Sequence, residues 1–206
     1  MNPLSVSSGS SRGPAEHDIR DQIVAAANEH FSQYGYSKTT VSDLAKAIGF
    51  SKAYIYKFFD SKQAIGEAIC CNCLAQIIAA VEEAINAEGI SPTERLRRLV
   101  KTLVIKGIDL FFNDRKLYDI AAFSALESWP SSQVYDARIK HFVQQIVREG
   151  RELGEFERKT PLDETVDSIH LALRPYINPL LLQYNLDVVE EAPGLISNLI
   201  LRSLMP

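Results

Sequence analysis

Apolar positions along the chain recur at helical spacing almost throughout, and the tightest pattern lies between Thr39 and Gln63. Val41, Leu44, Ala45 and Ile48 share one face of a short helix that Thr40 can cap and Gly49 must end. Phe50 follows, suited to drop between two helices, and Ser51 caps a second one in which Ile55, Phe58 and Phe59 face inward. Before this pair, Ile19, Ile23, Ala26, Ala27 and Phe31 mark a first helix that ends near Gly35. After it, a long helix is predicted from Ser61 to about Ala87, broken by Gly89-Ile90-Ser91-Pro92. Further helices are predicted over Pro92–Phe112, Lys116–Ser128, Ser131 to about Gly150, Pro161 to about Gln183 and Val188–Leu204. No convincing alternating strand and no solenoid repeat interrupts them. The fold class is therefore all-α.

Two short helices joined by a glycine turn form a helix-turn-helix, and the outer face of the second carries Lys52, Ala53, Tyr54, Tyr56 and Lys57. A major groove admits one helix, with its first residues at the base edges and its flanks on the phosphates. On that geometry Lys52 donates to guanine, Ala53 allows close approach and meets a thymine methyl, and Tyr54 stacks or bonds at an edge. Tyr56, Lys57, Thr40 and Lys62 are expected at phosphates, and Ser51, at the start of the reading helix, is counted with the DNA-binding residues. Lys62 follows Ser61, a cap for the long helix, so its ammonium and that helix start can share one phosphate. Single exposed lysines and half-buried tyrosines are ordinary surface; the fixed register of all of them is what points to double-stranded DNA.

The segment from Ala27 to Ile65 resembles the DNA-binding domain of the TetR (tetracycline-repressor) family of bacterial transcription regulators. The resemblance rests on Phe31, Gly35, Thr39-Thr40-Val41, Ile48-Gly49, Ser51-Lys52, Ile55-Tyr56, Phe59 and Ser61-Lys62. It departs from the family pattern at Ala53, Tyr54, Phe58 and Asp60, and Phe58 lacks the hydroxyl that a tyrosine would offer a phosphate. The resemblance implies a homodimer, a palindromic operator and a small-molecule effector, bound in the C-terminal domain, that releases DNA. The expected organisation is an arm (1–15), a three-helix DNA-binding domain (16–62), and a helical bundle for effector binding and dimerisation (63–206).

Charge distribution agrees. The 206 residues carry a net charge of only −4, but Tyr36–Gln63 holds five lysines against Asp43 and Asp60, whereas Ala64–Pro206 holds 15 basic and 20 acidic residues. The anion-facing surface thus belongs to the N-terminal module. No apolar run reaches the roughly 18 residues of a membrane helix, and the start lacks a secretory core, so a cytoplasmic protein without a membrane partner is expected. The opening MNPLSVSSGSSRGP reads as a disordered arm, either without a role or with Arg12 reaching a minor groove.

Catalysis and cofactors find no support: His17, His30, His141 and His170 are scattered, and neither a nucleophile elbow nor a phosphate loop appears. Cys70, Cys71 and Cys73 lie mid-helix, where burial as small apolar side chains is expected over a metal site, and a redox role stays open. His170, Arg174 and Asn178 recur every fourth residue as a polar stripe that lines a cavity, meets a second subunit or faces water, while Pro175 and Pro179 are expected to kink that helix. Tyr118, Phe123, Glu127 and Trp129 are further candidates for a cavity wall, although plain core packing is expected first for the aromatics. Leu195, Ile196 and Leu199 form an apolar stripe suited to a twin. The expected activity is a one-component switch, most simply a repressor: a ligand in the bundle tilts the long helix, changes the separation of two recognition helices and releases the operator. The alternatives are a DNA-binding protein that ignores effectors and, behind it, a bundle enzyme with an incidental helix-turn-helix.

Overall fold

The computed structural model describes the backbone from residue 14 to residue 206 and the side chains from residue 17. Arg12 and most of the expected arm lie outside the described residues. The helices are α1 (Pro14–Tyr34), α2 (Val41–Ile48), α3 (Lys52–Ile55), α4 (Lys62–Ile85), α5 (Pro92–Asn113), α6 (Arg115–Leu126), α7 (Pro130–Glu152), α8 (Leu162–Ile177), α9 (Pro179–Leu182) and α10 (Ala192–Ser203). There is no strand among the described residues. Because α1 starts at Pro14, it takes in the last two residues expected in the arm.

Several helix starts are fixed by a capping side chain of their own sequence. Ser51, Ser61 and Ser91 sit in extended backbone and accept the N–H three residues on, from Tyr54, Ala64 and Glu94. Gly49 ends α2 at φ 76°, a conformation that costs glycine nothing. α4 is the central helix, packed on α5, α6 and α7, with α8 on α7 and α10 on α5. One continuous core runs from Ile23, Phe31 and Ile55 through Ile69 and Val81 to Leu99, Phe142 and Leu173, so the two modules are welded along α4.

Three expectations need correction. The helix predicted from Pro161 to Gln183 is two: α8 runs through Pro175, but at Asn178 the backbone turns extended and that side chain caps α9. Pro179 is the breaker, since Asn178 precedes it and is driven from the helical region. The last helix begins at Ala192, four residues later than Val188, because residues 188–191 form turns. Finally, α4 is long and apolar enough to cross a membrane by composition, although Glu67, Asn72 and Gln76 break its apolar run. Its apolar face is instead the core of the bundle, where Ile65, Ile69, Leu74, Ile77, Val81 and Ile85 are buried.

Candidate DNA-reading surface and regulatory cavities

The reading helix is one turn long. After Ile55 the chain continues in bonds of shorter reach, Lys57 N–H to Tyr54 O at 3.2 Å and Phe58 N–H to Ile55 O at 3.0 Å, and turns so that Phe59 is buried before Ser61 starts α4. Ile55 and Phe59 face inward and Phe58 packs half-buried beside them. Lys52, Ala53, Tyr56 and Lys57 are exposed. Tyr54 is half-buried between the ring edges of Phe50 and Phe58, at centroid distances of 5.0 and 5.3 Å. The two lysines lie over the tyrosines, Lys52 at 5.8 Å from the Tyr56 ring and Lys57 at 5.6 Å from the Tyr54 ring. The result is a compact patch of cations and aromatic edges on one side of α3.

Thr40 and Asp43 close a capping box at the start of α2: the threonine hydroxyl accepts Asp43 N–H at 3.2 Å, and Asp43 Oδ2 accepts the backbone N–H and the hydroxyl of Thr40 at 2.9 and 2.6 Å. These bonds hold the Asp43 carboxyl below its ordinary value. Ser51, although exposed, is engaged as the cap of α3.

Lys62 is placed differently from its expected phosphate role. Its ammonium donates to Tyr36 O and Thr39 O, both at 3.2 Å, and lies 4.4 Å above the Tyr36 ring. Burial pushes its pKa below the ordinary value. Lys62 thus ties the start of α4 to the loop between α1 and α2. Arg20, which sequence reasoning passed over, does the same for α3: its guanidinium donates to Phe58 O at 2.8 Å and stacks 4.1 Å from the Phe59 ring. Both contacts join residues 23 or more apart in sequence, so spacing along one helix carries no signal of them.

At the joint between the modules, Tyr36 meets Phe123 and Trp129, each at 5.5 Å between ring centroids. Gly66 on α4 lets them close: a Cβ there would stand 2.8 Å from the Tyr36 ring and 3.1 Å from Trp129. Glu67 adds a polar tie by accepting Ser131 N–H at 3.1 Å. Burial and the Glu67 charge push the Tyr36 phenol up to about 12. Phe123 and Trp129 therefore pack at this joint. Tyr118 is buried among Val104, Ala122, Leu182 and Val189, donates its hydroxyl to Pro179 O, and is pushed by burial up to about 12. Glu127 is exposed at the end of α6. None of these four lines either of the two cavities described next.

His170, Arg174 and Asn178 do come together. They line a cavity of about 300 Å³ between α7 and α8, with Ser132, Gln133 and Asp136 opposite. His170 Nε2 lies 3.0 Å from Asp136 Oδ1, a contact that holds the Asp136 carboxyl below its ordinary value. Asn178 gives its side-chain oxygen to the start of α9, which leaves Arg174 as the exposed cation of the site. A second cavity, of about 710 Å³, lies between α1 and the wall made by α4, α5 and α6.

On α10, Leu195 and Leu199 are 65% and 64% exposed, while Ile196 turns partly into the core. Leu171 on α8 is exposed as well. Cys70 and Cys73 are buried and Cys71 is exposed. Burial raises the Cys70 thiol and pushes Cys73 up to about 12, which disfavours the thiolate at both. No group of three or more His, Cys, Asp or Glu that could hold a metal ion occurs among the described residues.

Comparison with known proteins matches both halves of this architecture. Residues 23–69 match the family model described as bacterial regulatory proteins, tetR family, and residues 92–192 match that of a tetracyclin repressor-like C-terminal domain. The biofilm operon icaADBC negative transcriptional regulator IcaR of Staphylococcus aureus (strain Newman) is 42% identical over 55 residues, 26% of this chain and 30% of that protein. The match thus spans under a third of that relative's length. The transcriptional repressor DhaR of Mycobacterium sp. (strain GP1) is 21% identical over 155 residues, covering 74% of this chain and 77% of its own. Among solved structures, FadR of Bacillus subtilis in complex with stearoyl-CoA superposes with a TM-score of 0.64 at 21% identity, over 89% of this chain and 98% of that one.

Proposed function

The chain belongs to the TetR family of bacterial transcriptional regulators and is not an enzyme, and on that premise we propose a ligand-responsive repressor that binds a palindromic operator as a homodimer and leaves it when a small molecule binds the bundle. The observation that carries the DNA half is the exposed face of α3. Lys52 and Ala53 stand at its first turn, where a recognition helix meets base edges, and Tyr56 and Lys57 flank them toward the phosphates. Caps at Thr40, Ser51 and Ser61 and the ties from Arg20 and Lys62 hold that face rigid, so little order remains to be lost on binding. Lys62 supports the interface by positioning α4 against the loop at Tyr36–Thr39.

Dimerisation is assigned to α10 with the exposed edge of α8, through Leu195, Leu199 and Leu171. A C2 pair joined there can set two α3 helices about 34 Å apart, one turn of DNA. The effector site is assigned to the cavity of His170, Arg174 and Asn178. Its polar groups suit a small anionic or hydrogen-bonding ligand, with Arg174 as the cation and His170, set by Asp136, as a second contact. The cellular setting that follows is the cytoplasm.

The decisive test is fluorescence anisotropy with a duplex taken from upstream of the protein's own gene. Binding with a dissociation constant on the order of 10⁻⁸ M at physiological salt, two protomers per duplex, and competition by unrelated DNA only at much higher concentration are expected. Equal affinity for any duplex would leave an architectural DNA-binding protein in its place.

A further inference from the structure

The larger of the two cavities joins the DNA-reading module to the bundle. One wall is α1, with Asp21, Val24 and Asn28; the other is built by α4, α5 and α6. Its volume of about 710 Å³ lies within the range of small-molecule sites. Ile69 and Ile77 of α4 are buried in its floor, and Leu110 and Leu117 complete an apolar base.

The charged groups around that base are mostly carboxylates, while the amides of Asn28, Asn72, Gln76 and Asn113 add donors as well as acceptors. Asp21, Asp109 and Asp114 contribute three carboxylates against a single cation, Lys106, which already pairs with Asp109 at 3.7 Å. Asp114 uses one oxygen to cap α6, at 3.1 Å from Leu117 N, and keeps the other. Asn28 adds a carbonyl oxygen that is buried and has no hydrogen-bond partner. A buried acceptor without a donor is costly, and a ligand that brings a donor recovers that loss. Carboxylates around an apolar floor favour a positive donor over a neutral or negative one.

We propose that this cavity binds a protonated organic amine with an apolar body, and that its occupancy is felt at the recognition helix through α1. The ammonium is held by the carboxylates that rim the cavity, Asp21 and Asp109 among them, the amide of Asn28 serves a second donor of the ligand, and the apolar body covers Ile69, Ile77 and Leu110. The route to DNA is short. Arg20, next to Asp21 on α1, is the residue that holds Phe58 O and stacks on Phe59 at the end of the reading segment. A ligand that changes the seating of α1 against α4 therefore moves the anchor of α3. This site is separate from the His170–Arg174 cavity, so a regulator built this way integrates two chemically opposite signals.

Isothermal titration of the full chain without DNA tests the binding, with n-hexylamine, 1-hexanol and hexanoate as probes at neutral pH and fixed ionic strength. Hexylamine should bind saturably at one site per protomer, hexanol about tenfold more weakly or worse, and hexanoate not detectably. The double variant Asp21→Asn, Asp109→Asn alters exposed residues and should fold normally. It should weaken hexylamine about tenfold and leave hexanol unchanged, while Arg174→Ala leaves hexylamine binding intact. Hexanol binding as tightly as hexylamine, or a double variant that keeps its affinity for the amine, overturns the site. The coupling is read separately, as a severalfold change in operator affinity with saturating hexylamine that the double variant abolishes; no change in the wild-type chain overturns the coupling. Because the titration contains no DNA, its failure alongside normal operator binding would sink this inference and leave the proposed function standing.

Discussion

The DNA reader and the α8–α10 region are both short helices with polar side chains at helix ends, yet their polar contacts differ in reach. In the reader the defining bonds close over three residues: Thr40 with Asp43, Ser51 with Tyr54, Ser61 with Ala64. In the bundle the comparable contacts span 34 residues from His170 to Asp136, 61 from Tyr118 to Pro179 and 101 from Arg97 to Asn198. The helix starts of the reader are locally determined, with Arg20 and Lys62 adding two longer ties, whereas the bundle joins pieces up to 101 residues apart. A rigid reader on an adjustable bundle suits a switch, since a ligand can act only where two arrangements lie close in energy.

The sharpest way to break that contrast is to damage the core of the reader. Phe59 is 2% exposed beneath both α3 and the Arg20 guanidinium, so Phe59→Ala should cost about 3–5 kcal/mol in urea unfolding. A loss under about 1 kcal/mol would mean that the reader is far less tightly built than its caps suggest.

Next in size is assembly. Leu199→Glu places a charge on the face assigned to the twin while leaving the monomer core untouched, because Leu199 is 64% exposed. Operator affinity should fall on the order of 10²-fold as two linked half-sites become two separate ones. Sedimentation of a folded, stable dimer of this variant would move the interface elsewhere.

Within the reader the two lysine roles can be told apart. Lys57→Ala should lower the slope of log affinity against log salt by about one unit with little change in stability, as expected for one lost phosphate contact. Lys62→Ala should instead lower the thermal midpoint, because Tyr36 O and Thr39 O lose their donor. Should Lys62→Ala shift the salt slope alone and leave the melting curve in place, its ammonium leaves those carbonyls for a phosphate when DNA binds.

Acid sharpens the comparison further. The folded Asp43 carboxyl titrates below its ordinary value of 3.8, chiefly through the Thr40 hydroxyl. Its contribution is therefore complete above about pH 4 and is lost as pH falls through the folded value. Asp43→Asn should flatten the acid limb of stability against pH below 4 and leave neutral-pH operator binding nearly unchanged. The smallest expected effect is that of Arg174→Ala, an exposed side chain in a cavity, which should change stability by no more than about 0.5 kcal/mol while removing the response to an anionic ligand.

From its residues alone the chain determined the all-α class, the order of most helices and the outward face of α3, because capping, helical period and glycine stops act over three or four residues and need no distant partner. The stripe of His170, Arg174 and Asn178 was visible for the same reason, as a period of four. What the stripe faces was not, since its partners on α7 lie more than thirty residues away. Only tertiary packing turned Lys62 inward onto Tyr36 and Thr39 and brought Arg20 under α3, whereas the packed contacts of Tyr118, Phe123 and Trp129 agree with the core packing their residue types favour. The physical reason is that a long side chain has several carbonyls, rings and solvent within reach at similar energy, and the crossing of helices far apart in sequence decides which of them it meets.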